Sequence, residues 1–185
     1  MDYFISDLHL GHEKIIEFER TDFKTIQEHD DYIIKQLKKK IYSGEDTLYI
    51  LGDIGWNWHR LEEINAKKIL IRGNHDTMRE ADLLKVFDEV HDYPIYYNRR
   101  ILLSHYPHPV EPHVLNLHGH LHNSVLKKSN QFINLSAHMC RYIPISANQA
   151  NQKAMRLGQS KRGFMEEWYA DDYVWIKMPP LKLND

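Results

Sequence analysis

Five short apolar runs in this chain each give way, within a residue or two, to a block of metal-binding side chains. Tyr3 to Ser6 leads into Asp7-Leu8-His9, Thr47 to Leu51 into Gly52-Asp53, and Lys68 to Ile71 into Gly73-Asn74-His75-Asp76. Further on, Arg100 to Leu103 leads to His105, and Val114 to Leu117 into Gly119-His120-Leu121-His122. Runs of that length are strands, and strands buried on both faces read as continuous apolar stretches. The pattern restricts the fold to α/β, whose strand ends converge on one edge of a sheet. Carboxylate, carboxamide and imidazole donors gathered there describe a two-metal site. Its candidate ligands are Asp7, His9, Asp53, Asn74, His105, His120 and His122.

Each block alone is weak evidence, because the chain has 13 histidines. His29, His59, His91, His113 and His138 read as surface or capping residues. The joint occurrence carries the weight. Alternation along an extended chain sends Asp7 and His9 to one side, and His120 and His122 likewise, so each pair can approach a metal together. Gly52, Gly73 and Gly119 stand directly before ligands, where a backbone leaving a strand must turn without a side chain in the way.

The remaining pattern alternates helix and strand at first, then becomes richer in strand. Thr25-Ile26-Gln27-Glu28 has capping-box form ahead of an apolar stripe at Ile26, Ile33, Leu37 and Ile41, which predicts a helix. Thr77-Met78-Arg79-Glu80 repeats the form before Leu83, Leu84 and Phe87, predicting a second helix immediately after Asp76 with its N-terminus facing the site. Strands are expected at Pro94 to Tyr97, Val125 to Lys127 and Phe132 to Leu135, and again at Tyr173 to Met178 before Pro179-Pro180. Ala147 to Leu157 reads as a helix and Gly158 to Gly163 as a loop. Trp168, Tyr169, Tyr173 and Trp175 read as core or a self-association surface.

A length of 185 residues suits one domain, 1–185. A net charge of −2 gives no strong field to hold long nucleic acid, and Lys38-Lys39-Lys40 complements a helix C-terminus. No exported-chain leader follows Met1, no apolar stretch approaches the ~20 residues that span a bilayer, and the single cysteine, Cys140, has no internal disulfide partner. These readings set the expectation of a cytoplasmic protein without membrane contact.

Taken together the five blocks resemble the motifs of the calcineurin-like metallophosphoesterase superfamily, in the family's order across residues 7 to 122. Short bacterial or phage-type members are the nearest in pattern, judged from Ile5-Ser6-Asp7-Leu8-His9-Leu10-Gly11-His12 and from Ile133-Asn134-Leu135 leading to Tyr142-Ile143-Pro144-Ile145-Ser146. The resemblance covers residues 1 to 146 and leaves 147–185 without a matched motif. It implies a four-layer α/β/β/α sandwich of two mixed sheets with two divalent ions at the strand ends. Asp7, His9 and His122 would bind one ion, Asn74, His105 and His120 the other, and Asp53 would bridge them.

The implied activity is hydrolysis of a small or nucleotide-like phosphate ester, a diester before a monoester, by a hydroxide bridging the ions. His75 would serve the departing oxygen as proton donor. Mixed nitrogen and oxygen donors favour Mn or Fe, with Ni, Zn or Mg as alternatives. Two departures from the family pattern stand out. No acid follows Gly52-Asp53-Ile54-Gly55, where Trp56 stands instead, which leaves Asp76 as the carboxylate to orient His75. Ser104 replaces the usual glycine before His105, with His108 as a competing ligand. Arg20, Arg72, Arg79, Arg99, Arg100 and Arg141 are candidate phosphate clamps. The rival readings are a non-catalytic metal-binding interaction scaffold, whose decay would have removed ligands that are all present, and a nuclease acting on longer nucleic acid.

Overall fold

The computed structural model describes residues 1–126, 130–157 and 173–175. One sheet holds β1 (Asp2–Ile5), β2 (Thr47–Ile50), β3 (Lys67–Ile71), β4 (Glu89–His91) and β10 (Ile145–Ser146), in the order β10-β1-β2-β3-β4. β1 to β4 are parallel, and β10 runs antiparallel beside β1. The second sheet runs β5 (Ile95–Asn98), β6 (Ile101–Leu103), β7 (Leu115–His118) and β9 (Phe132–Asn134), with only β5 antiparallel to its neighbour. β8 (Ser124–Leu126) and β11 (Tyr173–Trp175) form a separate antiparallel pair.

Period-two alternation with both faces buried explains why β1 to β3 are continuously apolar after their first residue or two. Tyr3, Ile5, Leu48, Ile50 and Leu70 face one core, closed by Ile33, Ile34 and Leu37 of α2 (Ile26–Lys40) and by Leu61 of a 3-10 turn at Trp58–Glu63. Phe4, Leu51 and Ile71 face the other, where they meet Ile101, Leu103, Leu115 and Leu117 of the second sheet and the small face Ala147, Ala150 and Ala154 of α4 (Ala147–Leu157). The result is two mixed sheets packed face to face with flanking helices, an α/β sandwich. No helix among the described residues is long and apolar enough to cross a membrane.

The first cap forms: Thr25 Oγ1 accepts from Glu28 N at 3.1 Å, while the Glu28 carboxylate reaches back one residue past the cap to accept from Lys24 N at 2.8 Å. The second does not. α3 is only Glu80–Leu83, begins at Arg79 without a side-chain cap, and follows Asp76 at a distance. Residues 73–78 are tied into turns, by Asp76 N to Gly73 O, Thr77 N to His75 O and an Arg72 guanidinium bond to Met78 O, so the N-terminus of α3 does not adjoin the end of β3. The expected strand at 173–178 is described over Tyr173–Trp175; the loop at 158–163, Lys127, Trp168 and Tyr169 lie outside the described residues. β4 and α1 (Glu13–Phe18) carry no apolar run long enough to announce them.

Candidate metal centre

All seven candidate ligands leave the C-terminal ends of parallel strands: Asp7 and His9 after β1, Asp53 after β2, Asn74 after β3, His105 after β6, His120 and His122 after β7. The two sheets meet at this edge. A Ser6–Ser136 bridge and Ser6 N to Leu135 O at 2.9 Å join them on one side, and His105 Nδ1 donates to Leu51 O at 2.8 Å on the other. Five of the seven ligands, Asp7, His9, Asp53, His120 and His122, sit at φ between 45° and 66°, the left-handed region that non-glycine residues rarely occupy. Strain of this kind persists only where surrounding contacts over-determine it. Those contacts are visible. Asp7 N bonds Gly52 O at 2.9 Å and His9 N bonds Asp53 O at 3.0 Å, lacing the first two loops together. A methyl group on Gly119 would overlap Ser6 Oγ and the Asp7 carboxylate, so the close approach requires glycine.

Asp7, His9, Asp53 and His122 each present a ligand atom within 4.8 Å of the others. His9 Nε2 lies 3.3 Å from His122 Nε2 and 3.7 Å from Asp53 Oδ2, and His122 Nε2 lies 3.8 Å from Asp7 Oδ1. Asn74 Oδ1 is 2.9 Å from His105 Nε2 and 3.1 Å from His120 Nδ1, and His105 Nε2 is 3.6 Å from Asp53 Oδ1. The geometry thus has two groups that share Asp53, one oxygen turned to each. His105 donates through Nδ1 to a carbonyl, so in the neutral ring Nε2 presents a lone pair towards another acceptor, Asn74 Oδ1. Converging lone pairs of this kind suit a cation between them, and the donor set fits divalent ions.

Burial and partners tune these groups. Burial pushes the His9 pKa far down, with Arg20 adding to the effect, so its imidazole is neutral and able to ligate. Burial also lowers His122, but the Glu19 hydrogen bond and the Asp7 and Glu19 charges outweigh it and raise its pKa. Burial raises the Asp53 carboxyl, partly offset by His105.

Around the ligands lies a layer that no motif announced. Glu19 carboxylate accepts from His122 Nδ1. Asp7 accepts from His120 N at 3.0 and 3.1 Å and from Ser136 Oγ at 2.9 Å. Arg20 is fully buried; its guanidinium donates to the carbonyls of Asp7 and Leu8 and to His29 Nε2 at 2.7 Å. His29 Nδ1 in turn donates to Asp30, whose carboxylate accepts from Gly11 N at 2.9 Å. Arg20 is therefore a loop anchor and not a phosphate clamp, and His29, with His138, is a buried residue and not a surface one.

Several other sequence expectations change. The Asp76 carboxylate accepts from the backbone N–H groups of Asp53, Ile54 and Gly73 at 2.8 to 3.0 Å, stitching two ligand loops, so its bonds go to backbone and not to His75. Arg72 pairs with Asp92 and Arg79 with Asp82, while Arg99 and Arg100 stand in the β5–β6 turn, at the sheet edge opposite the ligands. His105, rather than exposed His108, reaches the centre; Ser104 serves as well as glycine because its hydroxyl turns away, to Tyr106 O at 2.6 Å. His75 is exposed at the rim, its ring centroid 6.0 Å from that of His9 and its N–H bonded to Asp53 Oδ1 at 3.0 Å.

The sequence matches the calcineurin-like phosphoesterase family over residues 3–177. The chain belongs to that family. This phosphoesterase is 28% identical over 162 residues to an uncharacterized protein of Methanocaldococcus jannaschii, covering 78% of this chain and 85% of the relative. It is 28% identical over 169 residues to the gene 66 protein of Mycobacterium phage D29, covering 69% and 81%. Among solved structures, a protein of unknown function from Aquifex aeolicus superposes with a TM-score of 0.64 at 30% identity, over 82% of this chain and 98% of the other.

Proposed function

We propose that this phosphoesterase is a dinuclear metal-dependent hydrolase of phosphate esters, with phosphodiesters preferred. The observation that carries the reading is Asp53, whose Oδ2 faces His9 Nε2 at 3.7 Å and whose Oδ1 faces His105 Nε2 at 3.6 Å. A carboxylate placed in this way can serve two ions at once. Asp7, His9 and His122 would hold one, Asn74, His105 and His120 the other. When bound, such a pair activates water as nucleophile and neutralises charge on the phosphoryl oxygens.

The protein's own residues supply the rest. Neutral His9 is ready to ligate without prior loss of a proton, and the Nδ1–H bond of His105 to Leu51 O turns its Nε2 towards the centre. His75 stands at the open rim, where its imidazole can give a proton to the departing oxygen. Asn74 and His75 are exposed, which leaves room for the second ester arm of a diester. The mixed donor set favours Mn or Fe.

The test is turnover of an aryl phosphodiester beside the matching monoester by metal-stripped protein refilled with Mn, Fe, Ni, Zn or Mg. Metal-dependent hydrolysis faster on the diester supports the reading. Folded, metal-loaded protein inert on both esters overturns it. His75→Ala should cut turnover with metal content kept; loss of both ions in that variant would remove its proton-donor role.

A further inference from the structure

Ten large apolar side chains are strongly exposed on the described surface, and single ones of that kind ordinarily need no explanation. Two of them differ in where they stand. Trp56, 65% exposed, meets the His12 ring edge to face at 4.9 Å between centroids, and His12 lies 5.4 Å from His9. Tyr106, 50% exposed, lies 4.3 Å from the His120 ring and 5.1 Å from His105. One aromatic therefore borders each half of the ligand set, with Asp53 between them.

The seat of Trp56 is rigid although its ring is not buried. Gly55 before it forms a parallel bridge with Leu10. Asn57 after it is tied by its N–H to Leu10 O at 2.9 Å and by its side-chain amide to Asp30 at 3.0 Å. An indole held by anchored neighbours presents a flat apolar surface at little ordering cost to whatever stacks on it.

We infer that Trp56, with His12 behind it, is a ledge for a planar aromatic group carried on the phosphate ester, a nucleobase being the natural chemistry. This rests on the reading that the centre binds phosphate esters. It narrows the substrate class to esters whose arms carry aromatic rings, such as nucleotidyl diesters.

The experiment is calorimetric titration of the full, Mn-loaded chain with methyl phosphate, phenyl phosphate and thymidine 5′-monophosphate, which share a phosphate head and differ in the ring. Wild type should bind the two ring-bearing ligands at least about fivefold tighter than methyl phosphate, the lower end of what one stacked base contributes. Trp56→Ala should erase that preference and Trp56→Phe should keep most of it. Tyr42→Ala, which removes a still more exposed ring at the other edge of the first sheet, should leave the preference intact. Equal affinity for all three ligands in wild type, or a preference that survives Trp56→Ala, overturns the ledge. A preference without hydrolysis of any ester would keep the ledge and sink the hydrolase reading; no binding of any phosphate would sink both.

Discussion

The two halves of the ligand set are built differently. Asp7, His9 and Asp53 are almost wholly buried, and outer partners back that side: Glu19 on His122, Ser136 and the His120 N–H on Asp7, Arg20 on the loop carbonyls. On the other side Asn74 is exposed and His120 half-exposed, and only His105 is both buried and oriented, by Leu51 O. A group whose ligands are held by outer partners loses less entropy on capturing an ion than one whose ligands must first be ordered. The first half should therefore fill at lower metal concentration.

The strongest way to break this comparison is to remove what the halves share. Asp53→Asn should lower turnover by more than about 100-fold, above the range for losing a ligand's outer partner, and reduce bound Mn at both halves, read by steady-state kinetics and elemental analysis. Next is the anchor of the first half. Arg20→Met leaves two buried carbonyls and His29 without their donor, so it should destabilise by about 3 kcal/mol and lower Tm by roughly 6 to 12 °C, seen by thermal melts of metal-free protein. Smaller again is Glu19→Gln, which should weaken one of the two Mn affinities by about 10- to 100-fold and spare the other, resolved by equilibrium dialysis. Equal weakening of both would erase the distinction.

Acid gives the gentlest test, because each half rests on a buried histidine. Burial pulls His29, under the Asp7 loop, and His118, whose Nδ1–H bonds Gly119 O, down to about 4. Their unfolded pKa is near 6.5, so in the window between the two values the unfolded chain takes protons that the folded one refuses. Their contribution is complete above that window and is lost as pH falls towards 4. Metal-stripped protein should lose about 1 kcal/mol per histidine between pH 6.5 and 5.5, measured by urea denaturation at the two pH values.

What could be read in the sequence follows the same division between chain-local and chain-distant physics. β1, β2, β3, β6, β7 and α2 announced themselves because burial on both sheet faces or on one helix face leaves a periodic record in neighbouring residues. The convergence of the seven candidate ligands was legible because their blocks follow such runs. Glu19, Arg20 and Ser136 were not, since nothing near them in sequence shows that they meet Asp7 and His122. α3 was misjudged for the converse reason: Thr77 and Glu80 make a sound local cap, but Asp76 spends its carboxylate on loops brought from residues 53 and 54. The short edge strand β4, half-buried and without an apolar run, left no such record.

The bonds from His120 N and Ser136 Oγ to Asp7 join residues 113 and 129 positions apart. Ligands drawn from residues 7 to 122 cannot meet until both sheets have closed on each other, so the centre is among the last things this chain completes. Long-range closures of that kind slow folding. Ions that need the assembled centre would bind folded molecules and stabilise them by mass action. Metal supply would then act as a late checkpoint on folding, since a half-folded chain has no assembled pocket with which to compete for it.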